Sequence, residues 1–138
     1  MLAVSIGGGD AAAGTVYRSL RFTNISGQGC TLQGFPGVSY VAGDGGTQVG
    51  PAADRDGAKG AAVTLKPGAV ASVTLAMTNV HNFDAPTCHP TPTRGLRIYP
   101  PNETASLYVA TAGLGCAAPT LPSPQLRVST MKAGPGER

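Results

Sequence analysis

In the stretch VHNFDAPTCHPTPTR, His81, Asp84, Cys88 and His89 fall within nine residues of a chain otherwise poor in reactive side chains. Imidazole, carboxylate and thiolate are the ligand types that zinc takes, and a cysteine beside a histidine is the pairing that thiol enzymes use. Both chemistries make geometric demands. Structural zinc sites draw short-spaced ligand pairs from two hairpins, and a cysteine held in a disulfide supplies no thiolate. On an extended chain His89 points to the opposite side from its neighbour Cys88, which places it poorly as that thiol's base. The stretch is therefore expected to be a loop without a metal or a catalytic residue. The alternative is a metal- or thiol-dependent enzyme using His81, Asp84, Cys88 and His89.

Other motifs carry less. GGGDAAAGT (Gly7–Thr15) has glycines bracketing four residues, but no Lys precedes Thr15 and no helix follows, so phosphate binding is not expected. Its third dinucleotide-motif position is Ala12, and no βαβ unit surrounds it. The run is expected to be a flexible hairpin reversal. No serine sits in a G-x-S-x-G elbow, Asp54 and Asp56 lie in a polar loop, and Asp10, Asp44, Asp54 and Asp56 do not follow a calcium-loop spacing. Asn24-Ile25-Ser26 and Asn102-Glu103-Thr104 fit the glycosylation triplet, a permissive pattern better read here as two turn-forming asparagines.

The elements that must position these residues are strands. Twenty Gly and twelve Pro in 138 residues, without a period, mean many tight turns, and period-two alternation recurs between them. LAVSI and TVYRSLRFTNI form a hairpin with Val16, Leu20 and Phe22 on one face. CTLQG, VSYVA and TQVG follow, separated by FPG and GDGG; PAADRDGAKG is a polar loop. VTL and AVASVTLAMT flank the turn Lys66-Pro67-Gly68, with Val73, Leu75 and Met77 on one face. RGLRIYPP, ASLYVAT and PQLRVSTM complete the set, with Leu96, Ile98, Leu107, Val109, Leu126 and Val128 facing inward. Pro90, Pro92, Pro100 and Pro101 mark stiff, extended loop segments. Eight to ten short strands without helical periodicity predict one all-β domain over residues 1–132, an antiparallel β-sandwich with Greek-key connections; a small closed barrel is the alternative. Residues 133–138 are expected to be a flexible tail. With no Trp and seven Phe plus Tyr, the core is thin and aliphatic.

Ten Lys and Arg against seven Asp and Glu give a net charge of +3, but the basic residues are scattered without interleaved aromatics, so no nucleic-acid partner is expected. No apolar run is long enough to span a bilayer, and MLAVSIGGGD lacks the features of a signal peptide, so Met1 reads as the start of a trimmed mature domain. The low lysine content and abundant Gly, Ala, Thr and Val match the bias of a GC-rich bacterial genome.

Three cysteines, Cys30, Cys88 and Cys116, are an odd number, so one lacks an intrachain partner. Cys88 follows the Met77 strand and Cys116 follows the Val109 strand in a Gly-rich loop. Antiparallel topology can bring such ends together, and a bridge would stabilise by about 3 to 4 kcal/mol. Cys30 is then left over.

FTNISGQGCTLQGFPGVSYV (Phe22–Val41), then VTLKPGAVASVTLAMTNV (Val63–Val80), a later Cys, a PP and a final Gly-Cys ahead of LRVS resemble family 4232 of the domains of unknown function. The resemblance covers nearly the whole chain. It implies an immunoglobulin-like β-sandwich outside the cytoplasm, in secreted proteins and envelope lipoproteins of actinobacteria, with no established activity. It also implies that the cysteine of the C-T-L motif partners one lying just before the first strand. This chain has none there, so Cys30 is expected as a free thiol that trimming left without its partner, and an upstream lipid anchor is compatible with the same reading.

The expectation is thus a non-catalytic secreted or cell-envelope module, without cofactor and monomeric, contacting an unknown protein or cell-wall component. Its contacts would come from the end loops Val80–Gly95 and Pro51–Gly60. His81, Asn82, Phe83, Asp84, His89, Pro90, Pro92 and Arg94 are the expected contact residues, and the proline-rich segment is a candidate protease-binding or inhibitory loop.

Overall fold

The computed structural model describes residues 1–136, and among them twelve strands form. These are β1 (Leu2–Ala12), β2 (Thr15–Asn24), β3 (Cys30–Leu32), β4 (Gly37–Ala42), β5 (Thr47–Val49), β6 (Asp54–Arg55), β7 (Val63–Leu65), β8 (Val70–Thr78), β9 (Pro90–Tyr99), β10 (Leu107–Cys116), β11 (Leu126–Val128) and β12 (Lys132–Ala133). A 3-10 turn at Val80–Asn82 and one short helical turn, α1 (Ala85–Cys88), separate β8 from β9. One sheet has the order β1-β2-β8-β11-β6, with β12 also on β8; the second has the order β10-β9-β4-β5; β3 and β7 form a two-stranded ribbon. Pairing is antiparallel except between β6 and β11.

The period-two alternation does what it implied. Leu20 and Phe22 of β2, Val73 and Leu75 of β8 and Leu126 and Val128 of β11 share one buried cluster with Val38 and Tyr40 of β4, Leu96 and Ile98 of β9 and Val109 of β10. Leu32, Val63 and Leu65 of the ribbon join it. Each such side chain contributes about 1.5 to 3 kcal/mol by leaving water, and the sheets have no other continuous source of adhesion. The all-β, sandwich-type architecture expected from the alternation is the one observed.

Several expected loops are strands instead. Gly7–Ala12 continues β1: two residues, Gly7 and Gly8, oppose Ser19 in a bulge, and the reversal shrinks to Ala13 and Gly14 at φ 51° and 79°. Positive φ at both positions is the two-residue hairpin geometry that matches strand twist. Pro90–Thr93, expected as loop, is the first half of β9, and Ala112–Cys116, beyond the expected strand end at Thr111, belongs to β10, which bulges between Ala110 and Gly113. Asp54 and Arg55 of the expected polar loop pair with β11. These short pairings raise the strand number above the eight to ten expected. The two strands around Lys66-Pro67-Gly68 do not pair with each other: β7 bonds to β3 and β8 to β2.

The tail also differs. Lys132 and Ala133 pair with β8, and the Pro135 carbonyl accepts a bond from Arg21 Nε at 2.7 Å, so residues 133–136 run against the first sheet rather than fraying. The expected tail residues 137 and 138 lie outside the described residues. Asn24 is no turn residue: it ends β2, fully buried, with Nδ2 donating to the carbonyls of Gln28 and Leu65. Its burial removes it as a glycosylation acceptor. Asn102, at φ 64°, is the turn asparagine expected.

The chain crosses from the first main sheet to the second between β8 and β9, and returns between β10 and β11. Gln125, 1% exposed, sits at the end of the return crossing. Its Oε1 accepts from Cys116 N at 2.7 Å, and its Nε2 faces the carbonyls of Val49, Pro51 and Cys116 at 3.2 to 3.4 Å. One amide therefore satisfies backbone groups of both β10 and β5. Gly50 beside it, at φ 72°, has no room for a Cβ against the Cys116 carbonyl and this amide. Replacing Gln125 with Leu takes the acceptor from the buried Cys116 N–H and one shared donor from the three carbonyls, and each buried partner so lost costs about 1 to 3 kcal/mol. Urea denaturation of Gln125→Leu is expected to show a loss of about 2 to 4 kcal/mol as a lower midpoint with an unchanged slope.

Candidate functional site

The stretch opened at Val80 is the β8–β9 crossing itself. Asn79 caps its first turn, with Oδ1 accepting from His81 N at 2.9 Å, and Phe83 N closes that turn onto Val80 O. Pro86, whose missing N–H is tolerated in the first helical turn, stands in α1 behind Asp84. His89 ends α1 in the left-handed region at φ 55°, donating its N–H to Ala85 O. The hairpin tip holds the stretch from outside: Gly14 O accepts from Asn79 N at 2.8 Å and from Asn82 Nδ2 at 3.1 Å.

Cys88 and Cys116 are bonded, closing a separation of 28 residues with Cα atoms 4.6 Å apart. The backbone explains the approach. Pro90 pairs with Cys116 across β9 and β10, and the ladder continues beyond it, Ala117 N donating to His89 O and Ala118 N to Cys88 O. Both half-cystines are fully buried and pack with Val80 and Phe83 in a second apolar cluster beneath the loop. Phe83, expected at the contact surface, is thus an anchor facing inward.

The remaining expected residues point outward. His81, Asn82, Asp84, His89, Pro90, Pro92 and Arg94 are exposed, and Arg94 lies near Asp44 at 3.4 Å and over the Tyr108 ring at 5.9 Å. Among the described residues no three His, Cys, Asp or Glu side chains gather to hold a metal ion. Cys88, spent in the disulfide, has no thiolate for a nucleophile or ligand. Cys30 carries a free, half-buried thiol in a pocket shared with Met1 and Leu2.

Beside the stretch lies a recess lined by both sheets. The β10 bulge and the residues after it, Thr111–Leu114, line a cleft of about 400 Å³ together with β2 and β8, its walls including Val16, Arg18, Met77, Val80, His81 and Leu114. Tyr40 lies at its base with its ring against Gly115, where a Cβ would meet Cδ2 at 2.9 Å. Burial pushes its phenol up to about 12, so it stays a neutral hydroxyl. The lining carries no cluster of nucleophiles or carboxylates, so no reactive motif in the sequence marks the cleft. The available signal was Arg18, which alternation places on the same face of β2 as Val16 and Leu20.

A family model described as a domain of unknown function, DUF4232, matches residues 1–132. The chain belongs to that family. No curated protein and no solved structure matches it. In this DUF4232 domain the buried disulfide suits an oxidising compartment, and among the described residues no helix is long and apolar enough to cross a membrane.

Reduction and alkylation are expected to lower unfolding free energy by about 3 to 4 kcal/mol, as loop closure over 28 residues implies. Non-reducing peptide mapping should recover Cys88 linked to Cys116 with Cys30 alkylated; a Cys30 crosslink to either would contradict the pairing.

Tyr40 adds a pH dependence. A phenol ionising near pH 10 when unfolded and near 12 when folded contributes stability that is complete below pH 10 and gone above 12, about 2 to 3 kcal/mol in all. Melting temperature should therefore fall between those limits, and Tyr40→Phe should flatten that part of the profile.

Proposed function

We propose that this domain is a non-catalytic recognition module of secreted or envelope-bound proteins, which engages a protein or cell-wall partner through the exposed side of the Val80–Arg94 crossing. The observation that carries the reading is the contrast within that segment. Its backbone is pinned by the Cys88–Cys116 bond, two hydrogen-bonded turns, the first capped by Asn79, and the Gly14 carbonyl, while His81, Asn82, Asp84, His89, Pro90, Pro92 and Arg94 face solvent. A segment ordered before binding loses little conformational entropy on contact, which is how rigid recognition loops gain affinity. Segments that serve only as connections seldom need covalent closure, two turns and a docked hairpin together. The buried disulfide supports the extracytoplasmic placement.

Sedimentation of the purified domain with actinobacterial envelope fractions and secreted proteins tests the reading. His89→Glu with Arg94→Glu should weaken binding about tenfold, roughly 1.4 kcal/mol, whereas Lys66→Glu on another turn should leave it unchanged. Equal effects of the two changes would reduce the interaction to general charge and remove the assignment. Titration of secreted proteases tests the inhibitory form, and undiminished proteolysis at micromolar excess of the domain would rule that form out.

A further inference from the structure

Arg18 is a cation on the inward face of β2, between Val16 and the fully buried Leu20. Charged side chains at such positions are normally paired, yet the ion pairs among the described residues are Arg94–Asp44 and Arg127–Asp56, and neither includes Arg18. No Asp or Glu lines the cleft in which it stands. Neutral acceptors orient it instead. Nε donates to Gly7 O in the β1 bulge at 2.8 Å, and Nη1 donates to Thr111 Oγ1 in the β10 bulge at 3.2 Å. The guanidinium is thereby stretched across the gap between the sheets, with two of its five N–H groups used and the rest directed from the Nη1 and Nη2 end. That end is a planar fork matching the two oxygens of one carboxylate.

The surroundings define the rest of the ligand. Val16 and Leu114, 37% and 44% exposed, flank the opening with Met77 and Ala112, and the volume of about 400 Å³ lies at the lower end of the range for small-molecule sites. A single uncompensated cation balances a monoanion, and the apolar walls suit a hydrocarbon chain. We propose that the cleft binds a small aliphatic carboxylate, its acid group on the Arg18 fork and its chain along Val16, Met77 and Leu114. This site is separate from the macromolecular contact of the Val80–Arg94 crossing, although Val80 and His81 border both.

Methyl NMR titration of the full chain with octanoate, octanol and octylamine at neutral pH tests the assignment. Octanoate should shift the Val16, Met77 and Leu114 methyl signals saturably, octanol should bind roughly tenfold more weakly, equivalent to about 1.4 kcal/mol, and octylammonium should leave these signals unmoved. Arg18→Met should reduce octanoate binding by a similar factor. Because Arg18 also holds two structural bonds, Leu114→Glu supplies an independent check: the position is exposed, the fold is retained, and the added carboxylate abolishes octanoate binding. His89→Glu with Arg94→Glu should leave octanoate binding intact, so failure of the loop contact and failure of this site are read separately. Equal affinity for octanoate and octanol, saturable octylammonium binding, or shifts confined to other methyls would overturn the proposal. So would saturation by an apolar tripeptide through its C-terminal carboxylate where octanoate does not bind, which would assign the cleft to a peptide.

Discussion

Cohesion at one end of the sandwich depends on the meeting of two inter-sheet crossings at Cys116. The residue bonds through sulfur to Cys88 on the outgoing crossing, and through its backbone N–H to the Gln125 amide on the return. Covalent and polar ties here compensate for a core of small aliphatic side chains. Without Trp, and with Phe22 as the largest of its fully buried residues, the interior gains its adhesion from many modest contributions rather than from a few large aromatic ones. Small domains with limited cores commonly resort to such staples. The Gln125 amide adds a requirement that sulfur alone does not impose: the end of β5 must lie within hydrogen-bond reach of β10, which only Gly50 permits.

That closure has a geometric consequence for the surface beside it. The bond to Cys88 fixes the C-terminal end of β10 at the crossing, and the strand bulges after Ala110 on its way there. Thr111–Leu114 lines one side of the cleft, and Arg18 spans from the β1 bulge to Thr111 across it. The bond that pins the exposed segment thus also anchors the strand that forms one wall of the adjacent recess.

The fold was largely legible because alternation reports burial directly: Leu20, Phe22, Val73, Leu75, Leu96, Ile98 and Val128 all stand where period two puts them. The misread segments share a cause. Gly7–Ala12 and Ala112–Gly115 are rich in Gly and Ala and have little strand propensity, but ladder hydrogen bonds require only backbone, and neighbouring strands recruited them. Pro90 and Pro92 looked incompatible with a sheet for lack of an N–H. β4 joins β9 only from Gly95 onward, so these prolines lie along a half of β9 that needs no donors on its second edge. Asn24 and Gln125 were invisible for a different reason: nothing in a sequence distinguishes an amide in a turn from an amide satisfying carbonyls contributed by residues 41 and 76 positions away.

The candidate site shows how reactive residues can mislead. His81, Asp84, Cys88 and His89 attract notice by type and proximity in sequence, but the turns that order them spread their side chains over the outside while sulfur goes inward. Arg18 carries no motif and was counted among scattered surface cations. What singles it out is position: a charge on the face of β2 that otherwise bears Val16, Leu20 and Phe22, held by neutral oxygens from both neighbouring bulges. Its side chain spans the sheets, and neither of the ion pairs Arg94–Asp44 and Arg127–Asp56 includes it. In a thin sandwich an exception to the alternation is therefore worth as much notice as a cluster of nucleophiles, because a half-buried cation beside apolar walls is stabilised by any anion that pairs with it.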